Sequence, residues 1–526
     1  MVVEPLPINL KSVTVEADRQ YIDSDHTGER TETAFDFDEG TVVRSRRTDG
    51  NHLNYQNAYA TFRARYATDN TFISNTAGIQ STWQPHNYSN FLTSYSPQIY
   101  PADIEKSITD NSSVFPSWEG YFRFILPREW MLIISPKANY AYNSNRYTYH
   151  ADGVAPVVNE AAEKAWNSFV SIGASKRWGR NTLSVWANGE FKGNHLKYSG
   201  SNPATVNVTE QAAGVRVEAA TAFWKARLNA SAKCYLSHTD FAGYHYNEWL
   251  PSYFISGGIT FNPKMSLHVS SELSNWTNSV SARSDNIVVR DRFEAVKGNR
   301  KLKTFLFTSA SAYFNYYPTQ NLSFSSFFRY QGFDKPIVAS YSQTEIDGRT
   351  MMLQSYIKDG TFRHLRYGIT GTLRLLGNSL TLRASITGNN AMRRGLVYFN
   401  DNYVNFNVNA WYYIRDFYFG AYYAIRTRDT RTHFRTVSPS YYSFTAGWSH
   451  NDLNISIQAG SPFRSGREAG RMVEVAPRYH SEQTSYIRYY HRTFNLSLTY
   501  TIPYGKKVER DEDLQRGSSP QSGIVK

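Results

Sequence analysis

The feature that most limits how this chain can fold is a hydrophobic period of two, kept up over runs longer than a typical soluble strand of about 5–6 residues. From Trp224 to Leu236 the even positions read Trp224, Ala226, Leu228, Ala230, Ala232, Cys234 and Leu236. The odd positions read Lys225, Arg227, Asn229, Ser231, Lys233 and Tyr235. A helix would scatter both sets around its circumference, whereas a strand puts each on its own face. The basic set cannot face hydrocarbon, where each Lys or Arg costs about 2–4 kcal/mol near the midplane. The even face is therefore expected to meet lipid and the odd face a wet lumen. The run also matches the roughly 9–11 tilted residues that cross a bilayer. Val404, Phe406, Val408 and Ala410 stand in the same way against Asn405, Asn407 and Asn409. So do Phe494, Leu496, Leu498, Tyr500 and Ile502 against Asn495, Ser497, Thr499 and Thr501. Leu322, Phe324, Ser326, Phe328 and Tyr330 oppose Asn321, Ser323, Ser325 and Arg329.

Composition agrees with membrane-crossing strands and not with membrane-crossing helices. No stretch approaches the 18 apolar residues a helical span needs, and mean hydropathy is −0.52, as expected when lipid-facing and lumen-facing residues alternate. Aromatics make up 15% of the chain, with 39 Tyr, an excess that barrels place in girdles at the two interfaces. Trp83, Trp130, Trp178, Trp411 and Trp448 are read as girdle residues. The single cysteine, Cys234, excludes an intramolecular disulfide and a multi-cysteine metal site; on the inferred lipid face it reads as a small apolar residue. A net charge of +13 suits a phosphate-bearing partner, either nucleic acid or anionic membrane headgroups. Met1 is followed by Val2, Val3, Glu4 and Pro5, not by a basic start and an apolar core, so no secretory signal peptide is expected in these residues.

Tight turns are expected at Trp178-Gly179-Arg180-Asn181, Leu376-Gly377-Asn378-Ser379, Ile414-Arg415-Asp416 and His450-Asn451-Asp452. Proline turns are expected at Leu126-Pro127-Arg128-Glu129, Asn262-Pro263-Lys264-Met265 and Tyr317-Pro318-Thr319-Gln320, with a fourth at Gln84-Pro85-His86-Asn87. Between them, Tyr100–Trp118, Tyr142–Glu163, Asn275–Leu302, Asp334–Thr361 and Gly460–Thr484 read as long polar loops. Short periplasmic turns opposite long extracellular loops are the asymmetry of an outer-membrane barrel. The fold expected is all-β: one large antiparallel transmembrane barrel of roughly 18–22 strands over residues 1–504. Residues 505–526 are expected to form a polar, disordered tail.

The segment Val296-Lys297-Gly298-Asn299-Arg300-Lys301-Leu302-Lys303 resembles a Gly-Asn-Pro-x-Leu-Lys stretch in the barrels of TonB-dependent transporters, with Arg300 where that family usually has Pro. Tyr317-Pro318-Thr319-Gln320-Asn321-Leu322 is similar to the family's periplasmic turns. The closing run from Phe494 through Tyr504 to Val508 resembles the last strand of Bacteroidetes-type members. The resemblance implies an outer-membrane barrel that imports a scarce ligand through a plug domain energised from the inner membrane. No energy-coupling box or plug is recognised here, because Val13, Val15 and Ala17 already alternate with Thr14 and Glu16. An energising inner-membrane protein is therefore expected as a partner only where a longer form carries a plug. Outer-membrane lipid and lipopolysaccharide are the other expected partners, and the ligand stays open among siderophore, vitamin, glycan and peptide.

No catalytic, cofactor or metal residues are assigned, and the ligand-binding residues are unknown at this level. Nucleotide-binding loops, nucleophile elbows and zinc-protease motifs are not found. His238 and His245 lie near Asp240 and Glu248, but solvated loop histidines are the preferred reading over a metal site. Basic residues interleave with aromatics in Arg426–Arg435 and Arg464–Arg471. An outer loop or lumen wall is preferred there to a nucleic-acid surface, because period-two strands flank both. Sequons such as Asn207-Val208-Thr209 and Asn275-Trp276-Thr277 are those chance supplies in an Asn-, Ser- and Thr-rich chain. Against the transporter reading stand a plugless pore, a barrel used as adhesin or scaffold, a soluble multi-domain sandwich, and a barrel hydrolase whose triad no spacing selects.

Overall fold

A computed structural model describes residues 10–24, 27–200, 202–277, 279–464, 468–487 and 492–500; the expected tail at 505–526 and the end of the closing run lie outside them. The described chain is nearly all antiparallel strand. Twenty-five segments form one sheet and four more form a second, smaller one. In the large sheet, five staves are each broken into two consecutive segments, such as Leu10–Ser24 with Thr27–Phe37 and Tyr479–Ile487 with Thr493–Tyr500. Among the described residues the 25 segments thus make 20 staves, within the expected range. The first stave meets the last where Thr27 to Phe35 pair with Ile487 to Tyr479, and this closes the barrel in its outer half. Nearer the turn end, Leu10–Ser24 pairs with the strand Gly40–Ala67, and Thr493–Tyr500 with Leu453–Gly460.

Every expected tight turn except one joins two staves at the same end. The exception, Gln84 to Asn87, is a bulge inside the strand Thr71–Ser96. Between Gln84↔Asn111 and Asn87↔Thr109 the ladder gains one residue, and His86 takes a φ of 54°. A bulge of one residue swaps which side chains face inward. Below it Ser74 is buried on the inner face; above it Thr93 and Tyr95 are.

The barrel is uneven in height. Gly40–Ala67 has 28 residues, Thr71–Ser96 has 26 and Val154–Trp178 has 25, while Met265–Trp276 and Phe305–Tyr316 have only 12 each. Since roughly 9–11 residues cross the bilayer, the tall wall continues well beyond it as paired strand. This corrects the loop expectations for 100–118, 142–163 and 460–484, which are mostly strand. Their polarity reflects an outer face that meets water beyond the bilayer and buried polar groups such as Asp103, Glu105 and Glu163 on the inner face, and not a lack of secondary structure. The two expected loops at 275–302 and 334–361 are long connections, though each folds into strands of its own.

Inward parity is consistent around the wall. In the strand Ala226–Phe241 the odd face, which carries Arg227, Asn229 and Lys233, also carries Thr239 and Phe241, both buried at the mouth. The odd face is therefore the lumen face, and Leu228, Cys234 and Leu236 point outward and are exposed. Trp83, Trp130, Trp178 and Trp448 point outward as girdle residues should. Trp411 does not: it pairs with Thr381 and Gly420 on the lumen side. A Cβ on Gly420 would stand 2.7 Å from the Trp411 ring, so glycine is what seats it.

The face assignment predicts opposite outcomes for neighbouring substitutions. Ala230→Arg places a cation in lipid near the midplane and is expected to cost about 2–4 kcal/mol. Ser231→Arg faces the lumen opposite Glu218 and is expected to be near neutral. Denaturant titration of the chain refolded into phospholipid vesicles measures both.

Candidate functional site: a capped mouth

The buried core sits at the barrel mouth and not along the lumen. Residues 277–304 and 335–360 leave the short wall and fold into the second sheet. Ile287–Val289 pairs with Glu294–Lys297, which lies parallel to Arg349–Lys358, itself in a hairpin with Ile337–Ile346. That hairpin closes on Asp347-Gly348, both at positive φ, as a two-residue hairpin turn requires. Its apolar positions meet the inner faces of the tall wall. Met352 and Phe293 pack with Phe35, Tyr95 and Tyr479, Met351 and Ala295 with Tyr149 and Val157, and Val280 and Val288 with Leu196, Val208 and Phe241. Each large side chain buried this way contributes about 1.5–3 kcal/mol.

Four consecutive residues, Asp291-Arg292-Phe293-Glu294, fasten this cap. The Asp291 carboxylate accepts the backbone N–H groups of Phe293 and Glu294 at 2.8 and 2.9 Å, which fixes the local turn. Its other oxygen receives Arg44 at 2.9 Å and Arg46 at 3.0 Å from the wall. Arg44 also reaches Glu294 at 2.8 Å. Arg46 donates through Nε to Glu105 at 2.7 Å, and Glu105 accepts the Tyr95 hydroxyl at 2.5 Å. Arg292 points the other way, bonds Asp103 at 3.0 Å and the carbonyl of Asp152 at 2.8 Å, and lies 4.1 Å from the Tyr100 ring centroid. Phe293 fills the space between these pairs, against Phe35, Phe37, Tyr95 and Tyr100. Burial alone would raise the Asp291 pKa, but the Arg44 and Arg46 guanidiniums overcome it and hold the carboxyl below its ordinary range.

Further contacts span the mouth. Arg283 pairs with Glu210, donates to Tyr246 at 2.9 Å and lies over Phe241 at 5.0 Å. Asn159 and Tyr147 donate to the carbonyls of Val289 and Arg290. On the closing stave Tyr479 stacks on Tyr341 and donates to Glu294, while Tyr341 donates to Glu474 at 2.9 Å. The segment that carried the family resemblance is part of this fastening. Gly298 donates to the carbonyl of Ser284 at 2.6 Å, and a Cβ there would come within 2.3 Å of that oxygen. Asn299 bridges to the carbonyl of Tyr356 at 3.0 Å, and Arg300, at the unusual position, pairs with Asp285.

Sequence reasoning assigned no site residue here. A usable signal was present in the apolar run Ile287-Val288-Val289 and in the apolar residues Val338, Tyr341, Met351 and Met352, inside segments taken for polar loops. The histidines singled out earlier lie on the outer face. His238 bonds Asn247 at 2.8 Å and His245 lies 3.5 Å from Asp240, and no group of three metal-binding side chains occurs among the described residues. The basic segments are ion-paired, Arg428 and Arg435 both to the buried, lumen-side Asp401 and Arg471 to Glu482.

No protein-family profile and no curated relative matches the sequence. Solved structures match by shape. The copper transporter OprC superposes with a TM-score of 0.58 at 11% identity, covering 88% of this chain and 83% of that one. Pseudomonas aeruginosa FpvA bound to heterologous pyoverdines gives 0.51 at 10% identity, over 88% and 71%. The FpvAI–pyocin S2 complex gives 0.50 at 9% identity, over 88% and 70%. At these identities the likeness shows the fold alone, a large transmembrane β-barrel.

Removing Arg46 leaves Asp291 and Glu105 buried without one of their cations, a loss of the order of 3–5 kcal/mol for a buried pair. Arg46→Ala is expected to free the cap and expose Lys297, Arg300 and Lys301 to trypsin, while the wall stays protected; peptide mapping after brief digestion reads the outcome. Because the Asp291 pKa is depressed, its contribution is present above the unfolded value of about 3.9 and is lost as pH falls through the folded value. Amide exchange at 287–297, corrected for intrinsic rate, should therefore show the same protection at pH 7 and pH 5 and lose it only in stronger acid.

Proposed function

We propose that this chain is the membrane barrel of an outer-membrane receptor-transporter of the TonB-dependent kind, with residues 1–504 as the barrel and 505–526 as a polar tail. The observation that carries the reading is the cap. A tall, water-exposed wall holds a folded sheet across the mouth through buried ion pairs, so passage and ligand access are controlled at the outer end. Selection in membrane pores resides in such constrictions and in the groups that line them. The ligand taken up is unidentified; the matched structures are named for copper transport, pyoverdine binding and a pyocin complex, and each is a precedent for what such a barrel can engage. Lipopolysaccharide and lipid surround the belt, and an inner-membrane energising protein acts where the native molecule carries a plug. The proposal gives the chain no enzymatic role.

A pore or scaffold without active transport is the second reading. Native protein extracted from outer membranes separates the two. A species heavier than 60.2 kDa by a plug-sized segment supports the importer, and one at 60.2 kDa supports the pore or scaffold. Absence from the outer membrane contradicts both. In planar bilayers the intact chain is expected to conduct little, and Arg44→Ala/Arg46→Ala to raise conductance severalfold; equal conductance would remove the cap from the mechanism.

A further inference from the structure

Along the tall wall, three lumen cations have an acid on the same face: Lys137 with Glu119 at 3.2 Å, Lys192 with Glu190 at 2.9 Å, Arg216 with Glu218 at 3.4 Å. The short wall departs from this. On its lumen face Arg329 and Arg366 stand directly opposite each other on adjacent staves, with about 5 Å between Cα atoms. Like charges so placed destabilise a sheet. Neither forms an ion pair among the described residues, and Arg366 Nε is buried without a hydrogen-bond partner. The acids that act on this neighbourhood, Asp429 and Asp401, are themselves paired, Asp429 with Arg431 at 3.0 Å and Asp401 with Arg428 at 2.9 Å and Arg435 at 3.0 Å. On the other side Glu272 lies two staves away, about 10 Å by strand spacing.

What surrounds the pair is arranged for a ligand and not for mutual neutralisation. In register with Arg366 come Asn389 and then Tyr403, and one inward position nearer the cap lie Gln331 and His364, whose Nε2 is buried without a partner. Next above stands an aromatic shelf, with Phe333 4.9 Å from Phe307, 5.9 Å from Phe362 and 5.5 Å from Trp276 between ring centroids. Two guanidinium forks side by side suit one oxyanion with two negative charges, and the shelf suits a flat apolar body. We infer that Arg329 and Arg366 form a lumen site beneath the cap for a ligand that joins a dianionic oxyanion head to an aromatic or apolar body. This rests on the barrel reading proposed above, since it needs that face to be the lumen.

Phenyl phosphate and phthalate are suitable probes, because they pair the two head groups with one ring; inorganic phosphate lacks the ring. Calorimetry on the full chain in detergent is expected to show saturable binding of at least one ring-bearing probe, tighter than inorganic phosphate, and the tighter of the two names the head group. Arg329→Gln and Arg366→Gln should each weaken it about tenfold or more, Arg366→Lys by less, and Arg383→Gln, lower on the same wall, not at all. Arg329 is exposed, so its variant carries the test if Arg366→Gln misfolds. Loss of the heat-modifiable gel shift in the wild type would indict the barrel reading. A correctly folded wild type that binds no probe, or Gln variants that bind as wild type does, would overturn the site alone.

Discussion

A strand that crosses hydrocarbon can send its backbone N–H and C=O groups only to a neighbouring strand, since no water is there to receive them. Everything else in this molecule follows from meeting that demand. The staves pair in register over long ladders, such as Ala226↔Ile259 to Phe241↔Tyr244, and the pairing forces alternate side chains to opposite faces. One face must then be tolerable to lipid and the other to water. Beyond the bilayer the demand lapses, yet the tall wall goes on pairing, and there its inner face changes character. Below, that face carries Arg63, Arg65 and Lys137; at the mouth it carries Phe35, Leu196, Phe241 and Tyr149. That change from wet to buried is what lets a sheet made of two connections seat itself across the opening.

The part of the fold set by local alternation was legible in the sequence. The faces of 224–236, 404–410 and 322–330 were readable because each residue there answers to one requirement, lipid or water. Where the outer face meets water too and the inner face carries buried polar groups, the alternation fades, so 100–118 and 142–163 read as loops although they are mostly paired. The bulge at Gln84 to Asn87 presents the Pro-containing composition of a turn, and only the ladder on both sides shows that the chain does not reverse. Trp411 shows a limit of another kind: the alternation through Asn409 and Ala410 puts it on the lumen side, where Gly420 leaves room for its ring, although its composition is that of a girdle residue.

The capped mouth was illegible for a different reason. Asp291 and Arg44 lie 247 positions apart, and Tyr479 and Glu294 lie 185 apart. No local pattern couples them; only the order of staves does. Within one stretch, Asp291-Arg292-Phe293-Glu294 looks like any charged loop. Its meaning comes from two arginines on one wall strand, which receive Asp291 and Glu294, and from Asp103 on another, which receives Arg292. The glycine and asparagine of the 296–303 segment were noticed by resemblance, and the structure supplies their physical reason: Gly298 lies against the Ser284 backbone, and Asn299 ties the two connections together.

The central claim is that the cap rests across the mouth of the barrel in the membrane, and proximity across that contact tests it most directly. The backbone N–H of Asp38, on a turn of the wall, donates to the side chain of Gln343, on the cap hairpin, at 2.7 Å. Cysteines at both positions, in a Cys234→Ser background, would be treated in intact outer membranes with a short bifunctional thiol reagent. Rapid, near-complete linkage of 38 to 343 is the result predicted. Ready labelling of each cysteine singly, with no linkage between them, would show that the cap does not rest on the wall and would contradict the account.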